Sequence, residues 1–103
     1  MKQYTSEQQT AKLIELGFGK PKSVSQLTMD EDMQIVPHFA YSIGDLIDVL
    51  PIRVNGWEFD ISHDFHFERW VCHFDPTKHY GAATNLIDAL YILVVKLKEE
   101  GVI

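Results

Sequence analysis

The sequence predicts an α+β domain in which a small, mostly antiparallel sheet of three or four strands packs against three helices. Three apolar stripes at helical spacing each follow a capping residue, an Asn-Gly pair separates two β-prone runs, and an alternating aromatic segment lies between the second and third stripes. At 103 residues the chain is read as one domain. A domain of this size buries roughly two-thirds of its unfolded surface and folds without staples. A hydrophobic fraction of 46% with 23% charged residues fits a packed core and not a disordered chain.

The first helix is read from Thr5, with Gln8 three residues on as a capping-box partner. Ala11, Leu13, Ile14 and Leu16 supply its apolar positions. Gly17 ends it in the left-handed conformation, and Phe18 packs back behind the glycine. The segment 19–33, GKPKSVSQLTMDEDM, reads as a long irregular connection with an acidic turn at Asp30–Asp32. An edge strand is expected in QIVPHFAY, 34–41, because Pro37 cannot donate to a ladder on both sides.

Ser42 caps the second helix and Asp45 stands at its third position, where a carboxylate serves both the cap and the helix dipole. Ile43, Leu46, Ile47 and Leu50 form its buried stripe, and Pro51 closes it. The third helix starts at Asn85 with Asp88 three residues on and runs to Glu99 or Glu100 before Gly101. Leu86, Ala89, Leu90, Leu93 and Leu97 make one stripe, which Ile87, Tyr91, Val94 and Val95 widen to most of the circumference. A helix so apolar is the expected centre of the core. A homodimer would cover any surplus of that girdle or an exposed strand edge.

Between these helices, Asn55-Gly56 marks a hairpin. Trp57, Phe59 and Ile61 alternate with Glu58, Asp60 and Ser62, which places Trp57 inward. The next run, 65–74, changes parity. Phe65 and Phe67 point one way and Trp70, Cys72 and Phe74 the other, so a β-bulge near Glu68 and Arg69 is expected to bring all five to the core side.

That region, SHDFHFERWVCH at 62–73, holds three of the five histidines and the only cysteine. Zinc needs three or four ligands at about 2.0–2.3 Å. His66 and Glu68, two apart on a strand, share a face, and Asp60 or Ser62 on a neighbouring strand would oppose them. His63 joins them only through a turn. His63, His66 and Glu68 are therefore the metal candidates, against the plainer reading of His63 and Asp64 as a hairpin tip with the other histidines on the surface. No HExxH or CxxC spacing accompanies them.

No catalytic residue and no cofactor site is assigned. Cys72 and His73 are adjacent in a strand and point to opposite faces, which argues against a nucleophile pair, and a core-facing Cys72 is an inert small hydrophobe. Acid–base work by His66 with Glu68 or Asp60 is geometrically open, as in any acidic hairpin. GFGK at 17–20 follows a helix instead of a strand and is read as a cap, not a phosphate loop. DED at 30–32 lacks the glycine and distal glutamate of a calcium loop.

With a formal net charge of −6 and two arginines, Arg53 and Arg69, direct nucleic-acid binding is not expected, a small basic patch at Lys20 and Lys22 notwithstanding. The N-terminal segment lacks the apolar core of a signal peptide, and the longest apolar run, ALYILVV at 89–95, falls far below the ~20 residues of a membrane span. A lone cysteine fits a reducing compartment. The expectation is a cytoplasmic protein without membrane contact.

Three blocks, TAKLIELGFGKPKS at 10–23, YSIGDLIDVLP at 41–51 and LIDALYILVVKLKEEGVI at 86–103, together resemble a family of small uncharacterised proteins from gut Bacteroides-type bacteria, their prophages and mobile elements. The resemblance covers about half the chain and excludes the histidines, which lie outside its pattern. It implies a phage or mobile-element origin and transfers no activity or catalytic residue. The leading expectation is a small, acidic, non-enzymatic accessory protein acting through an unknown protein partner. The alternatives are a metal-binding protein or metal-dependent hydrolase using the histidine-rich strand, and an inhibitor that mimics nucleic acid with its acidic surface.

Overall fold

The computed structural model describes residues 2–103 and is α+β, with helices α1 (Glu7–Glu15), α2 (Ile43–Asp48) and α3 (Leu86–Glu99). Its strands are antiparallel throughout but do not form one sheet. β1 (Ser23–Met29) pairs with β2 (Ile35–Ala40), β3 (Arg53–Val54) with β4 (Trp57–Glu58), and β5 (Asp60–Asp64), β6 (Arg69–His73) and β7 (Tyr80–Ala83) make a three-stranded sheet in that order. The single sheet of three or four strands expected from the sequence is thus a three-stranded sheet and two separate two-stranded ribbons.

α3 is the core. Ile87, Ala89, Leu90, Leu93, Val94 and Leu97 are buried along it, against β6 and β7 on one side and α2 on another. The wide girdle is largely covered within the chain: Tyr91 and Val95 are half-buried against the same cluster. Cys72 and Phe74 from β6 and its continuation, Leu13 from α1, Leu46 from α2 and Val54 from β3 complete that cluster. Gly81 sets the spacing between sheet and helix. A Cβ at Gly81 would overlap the Ala89 carbonyl oxygen and lie 2.7 Å from the Leu93 amide nitrogen, so only a residue without a side chain lets β7 approach α3 this closely.

Both long helices end in the same way. Gly17 (φ 95°) donates to the Ile14 carbonyl at 3.0 Å and Phe18 to that of Leu13 at 3.2 Å. Gly101 (φ 75°) donates to Lys98 at 3.1 Å and Val102 to Leu97 at 2.9 Å. These are Schellman closures, and the first folds Phe18 back onto the core as expected.

The first cap differs from the sequence reading by one residue. Ser6, not Thr5, caps α1, accepting from the Gln9 amide at 3.1 Å while the Gln9 side chain accepts from Ser6 N–H at 2.9 Å. Thr5-Gln8 and Ser6-Gln9 are equal candidates by local chemistry. Tertiary contact decides, because the Thr5 hydroxyl is buried, 2.7 Å from that of Thr10 and accepting from Tyr41 N–H at 3.1 Å. The α2 and α3 caps fall at Ser42 and Asn85 as read.

Three further corrections concern strands. Residues 23–29 of the expected irregular connection form β1. A bulge between Val24 and Gln26 breaks its alternation, so the period-2 signal is split. Trp57 is half exposed instead of buried: its strand is two residues long and ends before Phe59, and the core position of the pair is filled by Val54. No bulge brings Phe65 and Phe67 inward. Residues 65–68 are a turn, Glu68 occupies the left-handed region (φ 51°), and Phe65 is 85% exposed.

The N-terminal segment is tied to α3 by a carboxylate. Asp88 accepts from Lys2 Nζ at 2.7 Å and from Gln9 Nε2 at 2.8 Å. Burial alone would raise its pKa, but the hydrogen bonds from Lys2, Gln9 and Asn85 outweigh burial and hold it below the usual carboxylate value. Stability from this site is present above the unfolded carboxyl's pKa and is lost as pH falls through the lowered native value. The Asp88→Asn variant is expected to show a shallower fall of melting temperature between pH 7 and pH 3 than the parent chain. Gly81→Ala is expected to lower the unfolding free energy by about 2 kcal/mol or more in urea titrations. Gly44→Ala, whose Cβ would meet only the Ser42 hydroxyl at 3.8 Å, is expected to raise it by about 0.5 kcal/mol.

Candidate functional site

The structure disperses the histidine-rich stretch. His63 lies on β5 opposite Trp70, half-buried, with its ring edge-on to Trp70 (centroids 4.9 Å) and to Phe65 (4.5 Å). His66 and Glu68 lie in the 65–68 turn, where His66 packs edge-on against Phe67 at 4.7 Å. The turn is held by Asp64, whose Oδ1 accepts from the His66 and Phe67 amides at 3.1 and 3.3 Å. Asp64 thus belongs to the hairpin end as read, whereas His63 belongs to the strand. Among the described residues no group of three His, Cys, Asp or Glu side chains converges to hold a metal ion. His63, His66 and Glu68 are aromatic-packed and turn residues, not a ligand cluster.

Two histidine pairs escaped the sequence reading. His73 Nε2 lies 3.4 Å from Asp60 across β5–β6, on the sheet face away from α3. His79, only 3% exposed, places Nε2 3.2 Å from Glu100 and so ties the turn before β7 to the end of α3. Its backbone serves the same turn, with N–H donating to Asp75 and C=O accepting from Phe74. Sequence separation hides both pairs, since nothing local links 60 with 73 or 79 with 100.

Cys72 faces α3 and is fully buried. Burial, reinforced by the negative charge of Asp60, pushes its thiol up to about 12. It is an inert core residue, as its strand parity suggested.

The feature that stands apart from the core is the β1–β2 ribbon. Val24 opposes Phe39, Leu27 opposes Pro37 and Met29 opposes Ile35, so these six apolar side chains share one face. The bulge at Ser25 makes this possible, because without the extra residue Val24 would fall on the opposite side. The other face carries Gln26, Thr28, Val36 and His38, with the Thr28 hydroxyl 2.7 Å from His38 Nε2. Ordinary sheets turn the apolar face to the core and the polar face to water. Here both faces meet water, Gln26 and His38 being exposed on the polar side and the apolar side being left uncovered as well. Val24, Leu27, Met29, Ile35 and Phe39 are between 44% and 67% exposed, and Met33 at the tip is 74% exposed in the left-handed region. Together the ribbon side chains present about 500 Å², at the upper end of the largest apolar patch on an ordinary monomer.

The base of the ribbon is clamped to the body. Ser23 donates to Asp45 Oδ2 at 2.6 Å, and the Tyr41 hydroxyl donates to the Gly19 carbonyl. At Asp45, burial acts to raise the pKa, but hydrogen bonds from Ser23 and Ser42 lower it further, so this carboxylate stays ionised. Burial and the nearby Asp45 charge raise the Tyr41 phenol and keep it neutral. A two-stranded ribbon is marginal by itself in water, and these contacts hold its root in place. An Asp30 carboxylate accepting from the amides of Asp32 and Gln34 orders the tip.

The chain is therefore an α+β body with a projecting, apolar-faced β-ribbon. No family model, no curated protein and no solved structure matches it. No helix among the described residues is long and apolar enough to cross a membrane.

The Cys72 environment has a measurable consequence. A native thiol with a raised pKa favours folding fully below the unfolded thiol's pKa, and that contribution is lost as pH rises toward the native value. Native protein at pH 8 is expected to react with a thiol reagent only at its rate of unfolding. Urea midpoints are expected to fall progressively between about pH 9 and pH 12 in the parent chain and less steeply in Cys72→Ala.

Proposed function

We propose that this protein is a small non-enzymatic accessory protein that acts by binding another protein through the apolar face of the β1–β2 ribbon. The observation that carries the reading is the uncovered apolar face of the ribbon. Six apolar side chains are aligned by a bulge on a face directed at solvent, on an arm whose root is hydrogen-bonded in place. Exposing such a face costs solubility, and a protein partner that covers it recovers the burial. A flat apolar face with backbone edges is suited to packing against another sheet or an amphipathic helix.

The resemblance of the blocks at 10–23, 41–51 and 86–103 to small proteins of Bacteroides-type bacteria and their prophages supports a phage or mobile-element setting. The lone, buried cysteine supports a reducing, cytoplasmic compartment. The acidic balance supports a protein partner over nucleic acid.

Site-specific photo-crosslinking tests the reading. A photoreactive residue at position 27 or 35 in a Bacteroides-type host is expected to trap a discrete polypeptide, while the same residue at position 62, on the polar outer face of β5, is not. Absence of any protein adduct from the ribbon positions would overturn it.

A further inference from the structure

We infer that the partner of the ribbon face is a second copy of this chain, packed face to face and antiparallel across a two-fold axis. This rests on the reading of the ribbon as a protein-binding surface and specifies what it binds.

Charge along the ribbon is what selects self-association. Lys20 and Lys22 stand at its root, immediately before Ser23, in a hollow they share with Asp45 and Asp48, and Asp30, Glu31 and Asp32 stand at its tip. Among the described residues none of these five groups makes an ion pair within the chain. The seven residues of β1 separate the two clusters by about 23 Å at the usual rise per residue. The lysines at the root are balanced by Asp45 and Asp48, whereas the tip is acidic alone, so a copy turned through 180° sets each acidic tip beside a root that carries lysines. In that arrangement each acidic tip lies beside the partner's Lys20 and Lys22, whereas a parallel arrangement would bring acids against acids. An isologous contact requires such self-complementarity.

The mode of contact follows from the strand edges. β1 is interrupted by its bulge and β2 by Pro37, so neither edge offers an uninterrupted ladder for strand addition. The face is continuous where the edges are not. Two apposed faces of this size, fully covered, bury about 1,000 Å² before Met33 is added, the lower threshold for a biological interface. Sheets stacked in this way sit about 10 Å apart, with Leu27, Met29 and Ile35 of one copy interleaved with those of the other.

Sedimentation equilibrium of the purified chain, from low micromolar to several hundred micromolar, tests the inference. The parent chain is expected to dimerise. Leu27→Asp, or Ile35→Asp as a second variant, is expected to raise the dissociation constant at least about 100-fold with an unchanged circular dichroism spectrum, since each places a charge in the apolar contact. Lys22→Glu is expected to weaken the dimer about tenfold, and Lys22→Glu combined with Asp32→Lys to recover it to within about threefold of the parent. A parent chain that stays monomeric throughout, or a dimer unaffected by both aspartate variants, would overturn the second-copy assignment. Crosslinking from position 27 separates that failure from the wider one. Adducts to a different polypeptide in cells, with none between copies in the purified protein, would remove the homodimer and leave the protein-binding face. No adduct in either setting would remove both.

Discussion

Everything else in this molecule is arranged around the contact between α3 and the β6–β7 pair at Gly81. Sheet and helix ordinarily meet through side chains, but here backbone approaches backbone, and Ala89 and Leu93 sit directly over the strand. That approach lets one 14-residue helix be buried from two sides by a body this small. Cys72 on β6, opposite Gly81, and Phe74 beyond it fill the remaining space, which accounts for a cysteine with no redox or nucleophilic character.

α3 is covered by β6, β7 and α2, and the β1–β2 ribbon stands outside that packing. A cleft lined by Thr10, Ile14, Gln26, His38 and Phe39 separates its base from α1, and most of its apolar side is left uncovered. The root is therefore secured by polar means: Ser23 to Asp45, Tyr41 to Gly19, and Thr5 to Tyr41. Hydrogen bonds thus hold the root while apolar surface stands exposed on the arm.

The histidines play a different part from the one their clustering invites. Proximity in sequence brings His63 and His66 to the end of one hairpin, but a four-residue turn sends them to different surroundings. His73 and His79, which no spacing pattern singles out, are the ones placed beside carboxylates. In the second pair, burial of His79 and the end of α3 are linked, so a residue with metal-ligand chemistry serves as a structural tie.

Local chemistry alone was enough for the α+β class, the caps at Ser42 and Asn85, the two glycine helix ends, the Asn55-Gly56 hairpin and the central place of α3, because each depends on residues within one or two turns of each other. The acidic turn at Asp30–Asp32 and the edge character of Pro37 were legible for the same reason. Only tertiary structure decided that Ser6 displaces Thr5 as a cap, since Tyr41 lies 36 positions away and claims the Thr5 hydroxyl. It alone decided that Phe65, Phe67 and Trp57 face water, because strand parity predicts a side only where a strand is continuous, and turns or breaks at 59 and 65–68 interrupt it. β1 was hidden by the same physics: one extra residue at Ser25 disrupts the alternation by which a strand is recognised, and that residue also aligns Val24 with Leu27 and Met29 on a single face.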